Sequence, residues 1–296
     1  MSETTTKNKT IIVLGIGLIA VSVSSILIKL CDAPALVIAT YRLTLASVFY
    51  LGYTGIKQGK FWRTFSRGQI KTIFISAIFL TIHFSTWITS LKYTSVASSV
   101  ILVQSAPIFV AFGSFIFLKE RPSALLMVGA VIALFGSIMI SVLDYSQDKN
   151  AMTGNLLAIG GAIGAAGYLL AGRKIRSQVN LFSYVSAVYS LTAVALLILA
   201  ILNGASFFGF STEIYLLFFA IAIFPQIIGH TSLNWALKYF SATAISIAIL
   251  AEPIGASILA VFVLGEQLTV VKIFWGIVIL SGVLIALIAE TKNNRN

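Results

Sequence analysis

Charge is scarce in this chain. Only 10% of its 296 residues are charged, and 9 of them are acidic. A soluble protein of this length needs far more charged surface, so that class is excluded. The one cysteine, Cys31, rules out an intramolecular disulfide and a cysteine-based metal cluster. The two histidines, His83 and His230, come without an HExxH pattern or an adjacent cysteine or carboxylate run, so no metal or other cofactor is expected. An intramembrane hydrolase or transferase would need a nucleophile–base pair, two carboxylates or a set of metal ligands. The chain shows none of these and no GxSxG, so no catalytic residue is expected and the enzyme class is set aside. A formal charge of +11 raises the question of nucleic acid. Lys and Arg stand, however, in short clusters between apolar runs, which excludes that partner and points to the lipid bilayer.

What the chain does have is apolar length. It is 58% hydrophobic, with a mean hydropathy of +1.00. A helix needs about 20 apolar residues to cross the hydrocarbon core. Runs of that length lie at 11–31, 35–55, 72–91, 95–117, 124–143, 154–171, 181–203, 213–234, 242–264 and 270–289. The expected fold is therefore an all-α integral membrane protein of ten transmembrane helices. Residues 1–10 and 290–296 form short tails, and two units cover 11–143 and 154–289. The first run is a full span long, so it reads as a retained signal anchor. With the N-terminus inside, all basic residues except Lys29, Arg42, Lys92, Lys149 and Lys272 fall on the cytoplasmic side. The positive-inside rule then puts both termini in the cytoplasm.

The two halves are related. Leu91-Lys92-Tyr93, Pro107 and Leu118-Lys119-Glu120 recur at one constant offset as Leu237-Lys238-Tyr239, Pro253 and Leu264-Gly265-Glu266, with Lys119 on Gly265 as the one mismatch. Five spans per unit is an odd number, so the second unit enters the membrane from the opposite side. The repeats are inverted, with a site expected near the midplane where both halves contribute. A monomeric channel needs neither inverted halves nor kinked helices, and no pore ring or filter is evident.

Tyr41-Arg42-Leu43, the stretch His83 to Tyr93, Ala106-Pro107 closing on Glu120-Arg121-Pro122, Gly229-His230, Asn234-Trp235 and Glu252-Pro253 together resemble the EamA family of the drug/metabolite transporter superfamily. The likeness covers nearly the whole chain. It departs in the first span, which has Ala20-Val21-Ser22 where the family commonly has a tryptophan-glycine pair. The resemblance implies a carrier of the bacterial inner membrane that works by alternating access, usually an exporter of amino acids or related metabolites. Nucleotide-sugar and sugar-phosphate carriers belong to the same superfamily, so nucleobase, sugar and sugar-phosphate substrates stay open.

Polar groups inside the spans are the candidates for a substrate site or pathway. Glu252 lies mid-span, directly before Pro253, and an ionised acid at bilayer centre costs about 2.5–3.5 kcal/mol on insertion scales. It needs a partner, water or a proton; otherwise it is a structural group bonded to a neighbouring helix. Arg42, in the second span, either grips a carboxylate or phosphate or pairs with Asp32 or Glu266 as a gate. His83 and Trp87 share a helix face, as do His230 and Asn234; each pair suits a polar solute with an apolar part, or simply bridges helices. Gln104 is the polar group nearest the first-half equivalent of Glu252. Tyr168 stands among Gly160, Gly161, Gly164 and Gly167, a pattern for close helix packing. Ser22, Ser24 and Ser25 offer a polar path in the first span. Pro107 and Pro253 each remove a backbone hydrogen bond and are candidate hinges. Glu120 and Glu266 read as helix-end anchors or gate partners. The substrate is expected to be a small molecule, and the working unit a monomer, with a dimer as the alternative.

Overall fold

A computed structural model describes residues 3–59, 61–94, 96–143, 151–264 and 269–293; Gly265 and Glu266 lie outside these. The described residues contain helices and no strand. They are α1 (Glu3–Ser22), α2 (Ser24–Leu30), α3 (Ala35–Gln58), α4 (Arg67–Tyr93), α5 (Val96–Val103), α6 (Ala106–Gly113), α7 (Ala124–Leu143), α8 (Ala151–Arg176), α9 (Leu181–Leu202), α10 (Thr212–Ile221), α11 (Thr231–Ala236), α12 (Ala242–Ile249), α13 (Glu252–Leu264) and α14 (Val270–Asn293). Among the described residues six helical stretches are long and apolar enough to cross a membrane: Lys9–Leu30, Ala35–Lys57, Arg67–Tyr93, Met152–Arg176, Leu181–Leu202 and Thr212–Ala236. Four shorter apolar stretches, Ala106–Leu118, Ala124–Gly136, Ala242–Ala256 and Ile273–Ala289, fall on the remaining runs. Several helices start at side-chain caps. Ser66 forms a reciprocal capping box with Gln69, and Asn180, Ser211 and Ser241 each accept a hydrogen bond from the first turn they open.

The protein is apolar on its surface, and polar side chains are buried among an apolar core. Ile12, Ile19, Val48, Phe112, Leu202 and Phe262 are exposed, whereas Arg42, Gln226, Asn234, Ser76 and Thr192 are buried. Water would not tolerate so much contiguous apolar surface, but lipid does.

Four of the runs are not continuous α-helices. The first is interrupted at Val23, and α1 reaches back to Glu3, into the polar tail. The fourth and ninth break at equivalent places, Gln104-Ser105 and Leu250-Ala251. Pro107 and Pro253 then occupy the second position of α6 and α13, where a proline's missing N–H costs nothing. The interruption thus lies just ahead of each proline and not at it. In the eighth run, Ala222–His230 widens into a π-helix around Pro225. That widening re-aims the side chains that follow it.

Helices of the first half pack mainly on helices of the second: α4 on α8, α3 on α9, α7 on α14, α1 on α11 and the adjoining π-helix, and α6 on α8 and α12. The α1–α11 pairing mirrors α8–α4, as two intertwined repeats require. The α4–α8 contact is the most extensive. A Cβ on Gly164 would sit 2.5 Å from the backbone nitrogen of His83 and 2.8 Å from its Cα. Gly160 makes only ordinary contact with Thr86, and the glycines of α8 are a packing surface.

Lys119 ends the π-helical turn Ser114–Leu118 with φ 57°, the only positive φ among the described non-glycine residues. A left-handed residue with a Cβ costs roughly 1–2 kcal/mol, which glycine avoids. The repeat already carries glycine at the matching position 265. Lys119→Gly should therefore be neutral or stabilise the protein by up to about 1 kcal/mol, after glycine's extra unfolded-state entropy is subtracted. A lower thermal midpoint in detergent would show that the lysine side chain makes a contact worth more than the strain.

Candidate functional site

One cavity of about 80 Å³ lies between the two halves. Its walls include Arg42 from α3, His83 and Trp87 from α4, Gln104 and Pro107 at the break before α6, Tyr168 from α8, His230 from the π-helix and Glu252 from the start of α13. Seven of the eight polar candidates read from the sequence thus converge. They do so because a polar group in an apolar run is driven inward, away from lipid.

Arg42 is 1% exposed. Its Nε donates to Gln226 Oε1 at 2.7 Å and its Nη1 to Ser24 Oγ at 3.0 Å, while the guanidinium lies 4.3 Å from the centroid of the Phe84 ring. The expected pair with Asp32 does not form; the only ion pair among the described residues joins Arg173 Nε to Glu120 Oε1 at 2.9 Å. Glu266, the other expected partner, lies outside the described residues. Among the described residues two of the five N–H groups of Arg42 are engaged, which leaves its outer edge for an anionic group. Glu252 lines the same cavity and is half-buried, and it forms no ion pair with Arg42.

Aromatic rings close the space between these groups. His83 and Trp87 are stacked, 5.6 Å apart at 7°. His230 lies 6.4 Å from His83, 5.3 Å from Phe84 and 6.2 Å from Tyr168. Nδ1 of His83 donates to the carbonyl oxygen of Gly161 at 2.9 Å, because a carbonyl oxygen can only accept. Trp87 Nε1 and His230 Nδ1 are buried and find no partner among the described residues.

Asn234 is the candidate that does not reach the cavity. It stands behind Tyr168, with Nδ2 donating to the Tyr168 hydroxyl, to the carbonyl of His230 at 2.8 Å and to the Tyr189 hydroxyl at 3.4 Å. Tyr189 and Tyr50 in turn meet Thr231 Oγ1 at 3.3 and 2.9 Å. This network braces the wall and is not part of it. Pro253 does not line the cavity either, and Ser22 bonds to the carbonyl of Leu18 at 2.8 Å within its own helix.

Sequence reasoning passed over Gln226, the partner that orients Arg42. Its signal was the same as that of Glu252: a polar residue beside a proline inside an apolar run, here Pro225. By sequence Arg176 is one of the basic residues on the cytoplasmic side. Arg176 is 2% exposed and donates through Nε to the carbonyl of Asn234 at 2.9 Å.

The model of the EamA-like transporter family matches residues 8–142 and 152–288, two copies that take in almost the whole chain. The chain belongs to the EamA-like transporter family. Its relatives include the uncharacterized transporter YwfM of Bacillus subtilis, 27% identical over 67% of this chain and 66% of that one. An uncharacterized transporter of Clostridium kluyveri is 23% identical over 69% and 68% of the two chains. One from Archaeoglobus fulgidus is 22% identical over 83% and 85%. A solved crystal structure superposes with a TM-score of 0.80 at 15% identity, covering 96% of this chain and 99% of its own, so the two share a fold. The two family copies coincide with the two halves whose facing helices build the cavity.

Proposed function

We propose that the chain is an alternating-access carrier, not an enzyme, that crosses a bacterial inner membrane ten times. Its two five-helix repeats are inverted and both termini are cytoplasmic. It works as a monomer and exports a small amphipathic zwitterion, an amino acid or close relative. The observation that carries this reading is Arg42 and Glu252 on one aromatic-walled cavity between the halves. Arg42 suits a carboxylate, Glu252 an ammonium group, and the stacked His83–Trp87 wall an apolar side chain. One water needs about 10–15 Å³ of such a cavity, so about 80 Å³ holds a compact solute. The paired interruptions at Gln104-Ser105 and Leu250-Ala251 supply bending points in the cavity wall, and Pro107 and Pro253 keep the helices from healing across them.

The test is counterflow in proteoliposomes with labelled amino acids, nucleobases, sugars and sugar phosphates. We expect saturable exchange of amino acids. Glu252→Gln should raise the half-saturating concentration about tenfold, the low end of the loss of one charge-assisted hydrogen bond. If this variant still exchanges but no longer follows a pH gradient, Glu252 also carries the coupling proton. Wild-type behaviour would make the glutamate structural. Exchange of sugar phosphates alone would reassign the substrate, and folded protein that exchanges nothing would sink the carrier reading.

A further inference from the structure

A second concavity lies on the opposite face of α8 from the central cavity. Residues Tyr168 and Leu169 face the centre, while Ile163 and Leu170 face this groove, which runs between α4, α6 and α8 with a volume of about 380 Å³. Its walls are almost wholly apolar, and the aromatic rings Phe112 and Phe117 are exposed along it. One end differs. There Thr72 and Lys174 form the rim, and Lys71 is the chain neighbour of Thr72 on α4. Glu120, the acid that follows this wall, is already held by Arg173. Lys174 is exposed and makes no ion pair among the described residues. The groove is thus long and greasy, with uncompensated positive charge at one end only.

We infer that this groove holds an anionic glycerophospholipid, with one acyl chain between α4, α6 and α8 and its phosphate on Lys174. Both features are needed for the assignment. An apolar groove alone takes any lipid tail, but basic residues at its rim favour an anionic headgroup by about 1 kcal/mol each. The lipid would wedge between α6 and α8, where Leu170 packs on Gly113, and so would favour one arrangement of the helix next to the Gln104-Ser105 break. The assignment stands whether or not the central cavity carries a zwitterion.

Native mass spectrometry of the purified full chain, titrated with phosphatidylglycerol or phosphatidylcholine of identical acyl chains, tests it. The wild type should retain phosphatidylglycerol preferentially. Lys174→Gln should lower that retention about fivefold, the equivalent of about 1 kcal/mol, and leave phosphatidylcholine unchanged. Lys174→Arg should keep it. Ile163→Trp, which fills the groove from an exposed position, should lower retention of both lipids. Equal retention of the two lipids by the wild type, or unaltered phosphatidylglycerol retention in Lys174→Gln, overturns the assignment. If Ile163→Trp does not fold, the two exposed-lysine variants decide alone.

Discussion

Arg42→Lys should reduce substrate exchange about 100-fold while the protein stays folded. Lysine keeps the positive charge, so this result separates geometry from charge. The guanidinium is fixed on three sides, by Gln226, by Ser24 and by the face of Phe84. With two of its donors spent on that cradle, the remaining N–H groups present a flat edge to the cavity, a shape that fits two carboxylate oxygens at once. A lysine ammonium cannot donate to Gln226 and Ser24 and still offer a forked edge. Losing one charge-assisted hydrogen bond of about 3 kcal/mol, or two of about 1.5 kcal/mol each, corresponds to binding on the order of 100-fold weaker. The loss should appear mainly in the half-saturating concentration. Counterflow measures the effect, and size-exclusion and thermal-melt profiles supply the control. Wild-type exchange by Arg42→Lys would mean that the arginine acts only as a fixed charge. A collapsed melt with no folded material would mean that it is a structural strut of α2, α3, α4 and the π-helix. Arg42→Met then decides between those two: a folded but inactive Met variant restores the substrate role, because it removes the charge without requiring the cradle.

Much of this site was legible because a bilayer permits few places for a polar side chain. Arg42, His83, Trp87, Gln104, Tyr168, His230 and Glu252 stood out as polar or amphipathic groups in apolar runs, and only an interior cavity takes them all. Their partners were not legible. Nothing local links Arg42 to Gln226, 184 residues away, or sets Phe84 beneath it rather than toward lipid. The Tyr50–Thr231–Tyr189 network was invisible for another reason: hydroxyls are common in membrane helices, and only the fold shows which of them meet. The duplicated prolines did announce two interruptions. Their exact form depends on which backbone groups lose partners, and that placed the breaks at Gln104-Ser105 and Leu250-Ala251, ahead of the prolines. Asn234 shared a helix face with His230 in the sequence. The wide π-helical turns just before it, around Pro225, leave His230 in the cavity and Asn234 behind Tyr168.

The largest effect on stability should come from Gly164. Replacing it with valine puts a branched side chain where a single Cβ would already lie 2.5 Å from the backbone nitrogen of His83 and 2.9 Å from the carbonyl oxygen of Phe79. The obstacle is backbone on α4, not the tip of a flexible side chain, so no rotamer change relieves it. The helices must separate by more than an ångström along their most extensive contact, or α4 must bend. Overpacking of this kind costs about 1–3 kcal/mol in a well-packed core and more where backbone must move. We expect a cost above about 3 kcal/mol, with most of the protein lost from the monodisperse fraction. The same displacement would break the bond from His83 Nδ1 to the carbonyl of Gly161 and pull the His83–Trp87 wall away from the cavity. Gly160→Ala, where a Cβ meets Thr86 at an ordinary 3.6 Å, is the matched control and should be tolerated. Equal melting behaviour of Gly164→Val and the wild type would show that α4 and α8 are not locked together, and that the cavity wall they share is free to move as transport requires.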